Sequence, residues 1–315
     1  MIEFQFTKRV LSCNTGFRQL FLQVLLPRKL VAWSQNKNNP PIVKEVLMAD
    51  LAAFFQSVKL PVMSEVAHSL IQTLGNEDAS ASLISDIISK DPALTAKLLR
   101  MANSARFGAS RGISSLDDAI TMTGMAQVRT LSLAACMGDS FPVMPGLDRS
   151  EFWNSSMACA GYAKWLASSI GVDGNEAWLA GMMLRLGELL IGQVDSASLI
   201  EIEQQPHLPG GRWQREQRLI GFNEGQITAE LARRWNFPSV LVDALNTASD
   251  PMASRPFCRL GAIVHLASLL AETPSDDPEV LDTLPEDVVN ALQLDRDWMQ
   301  AKFPDHASFV DVSAL

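Results

Sequence analysis

From residue 60 onward, apolar side chains recur at helical spacing along most of the chain. In MSEVAHSLIQTL, residues Val66, Ala67, Leu70, Ile71 and Leu74 form one apolar stripe at i, i+3, i+4 intervals. DASASLISDIISK predicts a short helix opening behind Asp78 or Ser80, either of which can accept from the first-turn amides. It gives way at Asp91-Pro92, where Asp91 reads as an N-cap and Pro92 suits the first turn of the next helix, PALTAKLLRMANSA. Phe107-Gly108 breaks that helix, ISSLDDAI restarts one behind Ser114 or Ser115, and Gly124 separates it from MAQVRTLSLAACM. The turn-rich stretch GDSFPVMPGLDRS then marks a lobe boundary. Further helices are predicted over 150–170 and near 223–235, 239–248 and 257–272, with a turn at PHLPGGRW.

Strand signals are weak: tyrosine occurs once, and alternating apolar-polar runs are short. The expected fold class is all-α, a two-lobed helical bundle. The domain plan is a basic extension over 1–45 and a main domain over 46–273. That domain divides into a first lobe (46–138), a connector (139–150) and a second lobe (151–273). An acidic connector and helical tail occupy 274–315.

One stretch breaks the pattern. GMMLRLGELL, residues 181 to 190, predicts a helical run buried on most faces, yet it holds Arg185. Either Arg185 and Glu188 pair at i,i+3 on a wet edge, or the arginine belongs to a present or former site.

Charge divides the chain unevenly. The whole carries a formal −9, which argues against nucleic acid as the main partner. Residues 1–44 nevertheless hold seven Lys/Arg against Glu3 alone. Within them, Phe17, Leu20, Phe21, Val24 and Leu25 share one helical face between basic ends, so residues 16–29 could touch a membrane surface or a partner. No apolar run is long enough to span a bilayer. Cys13, Cys136, Cys159 and Cys258 lack zinc-ligand spacing and suit reduced thiols; with no secretory pattern at the N-terminus, a cytoplasmic location is expected.

LPVMSEVAHSL, DPALTAKLLRMANSARFG and ISSLDDAITMTGMAQVRTLSLA strongly resemble the HDOD domain family of bacterial signalling proteins, in that family's order and spacing. The resemblance runs from about Leu60 to Ala271. It implies an all-α fold whose C-terminal lobe is related to the HD-domain metal phosphohydrolases. It also implies a non-catalytic role in signalling, often beside cyclic dinucleotide or two-component pathways.

Carried over residue by residue, the resemblance places Leu184 and Arg185 where the hydrolases have their His-Asp pair. Ser155 falls at the first His ligand, Glu224 at another His position, and Ala248 and Ser249 at two more. A hydrolytic metal centre needs several imidazole and carboxylate ligands with an open position for water. At these positions only Glu224 could be one, and Arg185 sets a permanent positive charge beside it. The reading is therefore a degenerate site with no metal, no cofactor and no catalytic residue. A divergent metal-dependent phosphohydrolase is the alternative.

Arg185 would then contact a ligand anion in the vestigial pocket or be the keystone of a buried ion pair with Glu188 or Glu224. The remaining histidines, His68, His207, His265 and His306, lack metal-binding spacing, and His265 on its apolar helix reads as a satisfied core residue. PGGR at 209–212 reads as a turn rather than a phosphate cradle. Recognition of a signalling protein or a small signal molecule is better placed around ANSARFGASRGISS. There Asn103, Ser104, Arg106, Arg111 and Ser114 gather at a helix end and loop, although Asn103 and Ser114 could equally be caps. Arg129, inside a largely apolar helix, is the last candidate. It is read as a contact for a partner or as a tie between the first lobe and its neighbours.

Overall fold

The structure, a computed structural model, describes residues 51–309 except 75, 77–78, 104–112, 143 and 205–207. The chain divides into two units, Met1–Phe54 and Phe55–Leu315. The basic 1–45 extension, with its proposed helix over 16–29, lies outside the described residues, and the account below concerns the second unit.

Among the described residues there are helices and turns but no strand, so the fold is all-α. The first lobe comprises α1 (Glu65–Gln72), α2 (Ala81–Ser89), α3 (Pro92–Ala102), α4 (Leu116–Thr123) and α5 (Met125–Ser140). Each of the first four opens on a side-chain cap: Ser64, Ser80, Asp91 and Ser115 accept from first-turn amides at 3.0–3.1 Å. Of the paired cap candidates, Ser80 and Ser115 serve. The helices α1 to α4 all pack on α5. That explains why α5 is buried nearly all round, from Gln127 to Gly138, and is only weakly amphipathic.

The second lobe is built on α6 (Arg149–Ser169), α7 (Gly174–Met183) and α13 (Arg259–Ala271), with α8 (Leu186–Val194), α9 (Ser196–Gln204), α10 (Gly211–Leu219), α11 (Glu224–Arg234) and α12 (Ser239–Thr247) around them. Close approach of α6 and α7 depends on Gly181, where a Cβ would stand 2.9 Å from the Ala160 Cα and the Cys159 carbonyl oxygen. Burial raises the pKa of the Cys159 thiol at this contact, which suits core filler.

Beyond α13 the chain is no loose connector. Val280, Leu281, Val288, Val289, Leu292 and Met299 are buried, within a 3-10 helix (Pro278–Thr283), α14 (Glu286–Leu292) and α15 (Arg296–Ala301), and Leu284 is buried between the first two. Trp298 stacks on Trp165 at 5.4 Å, Phe303 stacks on Tyr162 at 6.1 Å, and the Tyr162 hydroxyl meets His306 Nδ1 at 3.2 Å. The tail thus covers one aromatic face of α6. No helix among the described residues is long and apolar enough to cross a membrane.

Candidate functional site

The predicted helical run through 181–191 is broken. One helix ends at Met183, and α8 begins at Leu186 with Arg185 as its N-cap residue. A side chain from another helix bridges the break. Thr228 on α11 donates its hydroxyl to the Leu184 carbonyl at 2.9 Å and accepts from the Gly187 amide at 2.7 Å. Both backbone groups freed by the break are thereby satisfied inside the core. Gly187 is required as well, because a Cβ there would overlap the Glu224 carbonyl oxygen. Together these contacts press the start of α8 against the start of α11.

Around that junction lies a buried charge cluster. Arg185 is 8% exposed and donates from both Nε (3.0 Å) and Nη2 (2.7 Å) to one oxygen of fully buried Glu188. Its guanidinium also lies 3.7 Å from Glu203 and 5.2 Å from the centre of the Phe152 ring. Arg185 and Glu188 do pair at i,i+3, but inside the protein rather than on a wet edge. Glu224, the other predicted partner, instead meets Arg212 Nη2 at 3.2 Å and accepts from Trp213 Nε1 at 2.9 Å.

Arg212 is the hub. Its nitrogens lie within 3.8 Å of five carboxylates: Glu224 at 3.2 Å, Glu188 at 3.4 Å, Glu203 at 3.6 Å, Glu272 at 3.7 Å and Glu216 at 3.8 Å. Two backbone amides complete the set. Glu216 accepts from the Glu224 amide and Glu272 from the Gly210 amide, each at 2.8 Å. Gly210 holds φ +72°, a left-handed conformation that suits glycine and opens α10 beside Glu272. The PGGR stretch is therefore a turn, as read, but one that delivers Arg212 into the core.

Electrostatics divide these acids into two kinds. Burial raises Glu188, yet the charges of Arg185 and Arg212 outweigh it and hold its pKa at about 2. Glu203 goes the other way: burial and the neighbouring Glu188 charge, to which it hydrogen-bonds, push it up to about 8. Burial likewise raises Glu216, with Glu224 adding to it, and raises Glu224 in spite of Arg212. Burial alone would lower Arg212, but Glu224, Glu188, Glu272 and Glu216 keep it well above its ordinary value. The cluster thus holds protons on carboxyls at neutral pH, because two guanidinium groups cannot balance five carboxylates, three of them buried and two partly exposed.

The other positions that the sequence resemblance matches to hydrolase ligands carry no metal-binding chemistry. Leu184 and Ala248 are fully buried and apolar, and Ser155 is half-buried on α6. Ser249 accepts from the Asn223 side-chain amide at 2.9 Å. His265 Nδ1 donates to the Ala248 carbonyl at 2.6 Å, and its ring lies 5.1 Å from that of Trp213; burial lowers its pKa. Among the described residues, no three His, Cys, Asp or Glu side chains are arranged to hold a metal ion. The residues present do not fit one, since Arg212 stands among the acids that could.

The first-lobe candidates lie elsewhere. Asn103 ends α3 and clamps the chain ahead: its side chain donates to the carbonyls of Leu99 (2.8 Å) and Ile113 (2.7 Å) and accepts from the Ile113 amide (2.7 Å). Ser104, Arg106 and Arg111 lie outside the described residues, as does His207. Ser114 donates to Asp118 at 3.1 Å on the surface. Arg129 donates to the Thr73 carbonyl at 2.6 Å, tying α5 to the end of α1, and burial lowers its pKa.

Comparison with known proteins agrees with this architecture. The family model of the HDOD domain matches residues 60–251. An uncharacterized protein of Treponema pallidum (strain Nichols) is 26% identical over 228 residues, covering 68% of this chain and 44% of its own length. The chain therefore spans under half of that relative.

Among solved structures, a "putative phosphohydrolase" of Shewanella amazonensis SB2B is 27% identical with a TM-score of 0.62, over 82% of this chain and 92% of the other. An HDOD domain protein of unknown function from Geobacter sulfurreducens gives 22% identity and a TM-score of 0.66, over 85% and 93%. A "putative signal transduction protein" of Marinobacter aquaeolei VT8 gives 21% and 0.69, over 89% and 67%. The last two speak for the fold alone. With residues 60–251, more than half of its length, matched by the family model, the chain belongs to the HDOD domain family.

Proposed function

We propose that this chain is a non-catalytic signalling module that acts by binding a partner protein or a small signal molecule. The observation that carries the reading is the identity of the groups in the second lobe. Two guanidinium groups and their carboxylates gather around Arg185 and Glu224, two of the positions that the resemblance matches to hydrolase ligands. A bound metal would have to compete there with a permanent internal cation. In this reading the second lobe is a rigid body, and recognition falls to the first lobe around Asn103 and Ser114. Asn103 holds the two ends of the intervening segment together there.

The test is the metal content of freshly purified, tag-free protein by ICP mass spectrometry. It is paired with phosphatase and phosphodiesterase assays on generic aryl phosphates, with added Mn²⁺ and with chelator. The expected result is neither bound metal nor turnover. Near-stoichiometric Mn, Fe, Zn or Ni, or turnover that chelation abolishes, would favour the divergent phosphohydrolase, a reading encouraged by the name of the Shewanella relative.

A further inference from the structure

The tail covers an aromatic face of α6, and the two sides of that contact are held very differently. Tyr162 is fully buried, and three of the rings around it come from the tail: Phe303 (6.1 Å between centres), His306 (5.9 Å) and Phe309 (5.0 Å). Phe309 sits on bare backbone, because a Cβ at Gly161 would overlap its ring. The three anchors stand at i, i+3 and i+6, the last two in a 3-10 helix (His306–Phe309) whose three-residue period keeps them on one face.

The covering segment is lightly held by comparison. None of the residues His306–Phe309 is buried, and Lys302, Asp305, Ala307 and Ser308 are exposed. Hydrogen bonds of 3.2 Å tie it to the rest of the domain: the His306 amide donates to Asp276, and His306 Nδ1 meets the Tyr162 hydroxyl. A segment with so little buried surface opens at lower free energy than the core beneath it. Its seat is also imperfectly filled. Trp165, stacked on Trp298 and edge-on to Phe303, has its indole N–H buried without an acceptor. An occupant that brought a carbonyl or carboxylate to that N–H would gain a hydrogen bond that the tail does not make.

We infer that the face of α6 formed by Gly161, Tyr162 and Trp165 is a peptide-docking groove, which residues 303–309 fill as a displaceable strap. Its occupant in trans is a segment of a partner protein with the strap's own chemistry: two aromatic side chains six residues apart with a hydrogen-bonding side chain between them. Aromatic anchors seated in a preformed groove let a short segment bind through few contacts. Tethering gives the strap an effective concentration of about a millimolar or more, so it excludes weaker segments and yields to one that fits better. The groove shares no residue with the charge cluster. It adds an interaction surface on the second lobe to the first-lobe surface proposed above and does not depend on the metal-free reading.

The test uses a fluorescein-labelled peptide of residues 302–310, read by fluorescence polarisation. It is titrated with the full wild-type chain and with Phe303→Ser/Phe309→Ser, which releases the strap and leaves the groove intact. The double variant is expected to bind the peptide in the micromolar range, and wild type about tenfold more weakly, because the tethered strap competes. A peptide with serine at both phenylalanine positions should not bind. Adding Gly161→Leu, which fills the Phe309 seat, should abolish binding with the far-UV circular dichroism unchanged.

If the double variant does not fold, wild type carries the test. About 1 mM unlabelled peptide should then speed amide exchange at His306 and Phe309 severalfold in the ¹⁵N-labelled chain, while α6 stays protected. The inference fails if the folded double variant binds no better than wild type, if the serine peptide binds equally well, or if exchange in the strap ignores the peptide. Wild type that dimerises through exchanged straps, and becomes monomeric in the double variant, would make a second copy the occupant and overturn the choice of a partner protein. Metal content and turnover bear on the functional reading alone, so the two can fail separately.

Discussion

Glu203 makes the buried cluster measurable through pH. Its carboxyl titrates at about 8 in the folded chain, against an ordinary 4.5, because burial and the Glu188 charge both disfavour the anion. Between those values the folded protein keeps a proton that the unfolded chain has lost. Stability from this group is therefore fully present below pH 4.5 and declines as pH rises towards 8, by about 1.4 kcal/mol per pH unit at the steepest. Across the window the loss is roughly 4–5 kcal/mol, a large share of the stability of an ordinary domain.

Glu216 and Glu224, also raised by burial, add losses of the same sign. Glu188 contributes the opposite slope, but lower down. Its stabilisation is present above 4.5 and disappears as pH falls towards about 2. The chain should therefore be most stable near pH 5 and markedly weaker at pH 8 to 9.

Glu203→Gln isolates the effect. The amide stays neutral at every pH and can still donate a hydrogen bond to Glu188. The variant should match wild type within about 1 kcal/mol at pH 5 and exceed it by several kcal/mol at pH 9, with a shallower profile between. Urea unfolding followed by far-UV circular dichroism at pH 5, 6, 7, 8 and 9 supplies the numbers. A wild-type profile that is flat or rising across this range, or a glutamine variant that falls as steeply as wild type, would show that the carboxyl is not held protonated.

Three further substitutions probe how the site is assembled. Arg185→Met leaves Glu188 in the core with Arg212 as its remaining partner and should cost about 3 kcal/mol in urea unfolding. Adding Glu188→Leu should recover part of that loss, and strictly additive costs would count against direct coupling. Thr228→Val strips the Leu184 carbonyl and the Gly187 amide of their shared partner; a loss of about 1–3 kcal/mol is expected, with faster amide exchange at Gly187. Gly187→Ala forces a methyl against the Glu224 backbone, so a loss of about 3 kcal/mol is expected, and no loss at all would contradict the close approach of α8 and α11.

The fold was legible because its signals are local. Helical periodicity, Asp91 before Pro92 and serines ahead of apolar stripes each act within a few residues, and each reappears as a helix or a cap. The cluster was legible only in part. Arg185 stood out because its neighbours are apolar, whereas Arg212 follows two glycines and a proline and is followed by a polar helix, QREQR, so it resembled a surface turn. A fainter signal was available. Glu203 falls at i+4 from Leu199 and next to Ile202, on the apolar stripe of its helix, and Arg212 and Glu216 stand at i,i+4 beside a lone tryptophan. The break at Leu184 was not read from the sequence; Thr228, which bridges it, lies 44 residues away.

That distinction bears on how a degenerate site should be judged. Mapping ligand positions one at a time through the resemblance considers only those positions: Leu184, Ala248 and Ser249 offer no strong ligand, and Ser155 is half-buried on α6. It does not show what has arrived. Arg212 occupies none of the mapped positions, yet it contacts Glu224, which does, and Glu188, which pairs with Arg185. Without a nearby cation, Glu188, Glu216 and Glu224 would bear their full desolvation cost, a few kcal/mol each. A buried guanidinium and shared protons offset that cost without a metal. In the proposed reading, it is this compensating charge, more than the absence of histidines, that lets the second lobe stand without an ion.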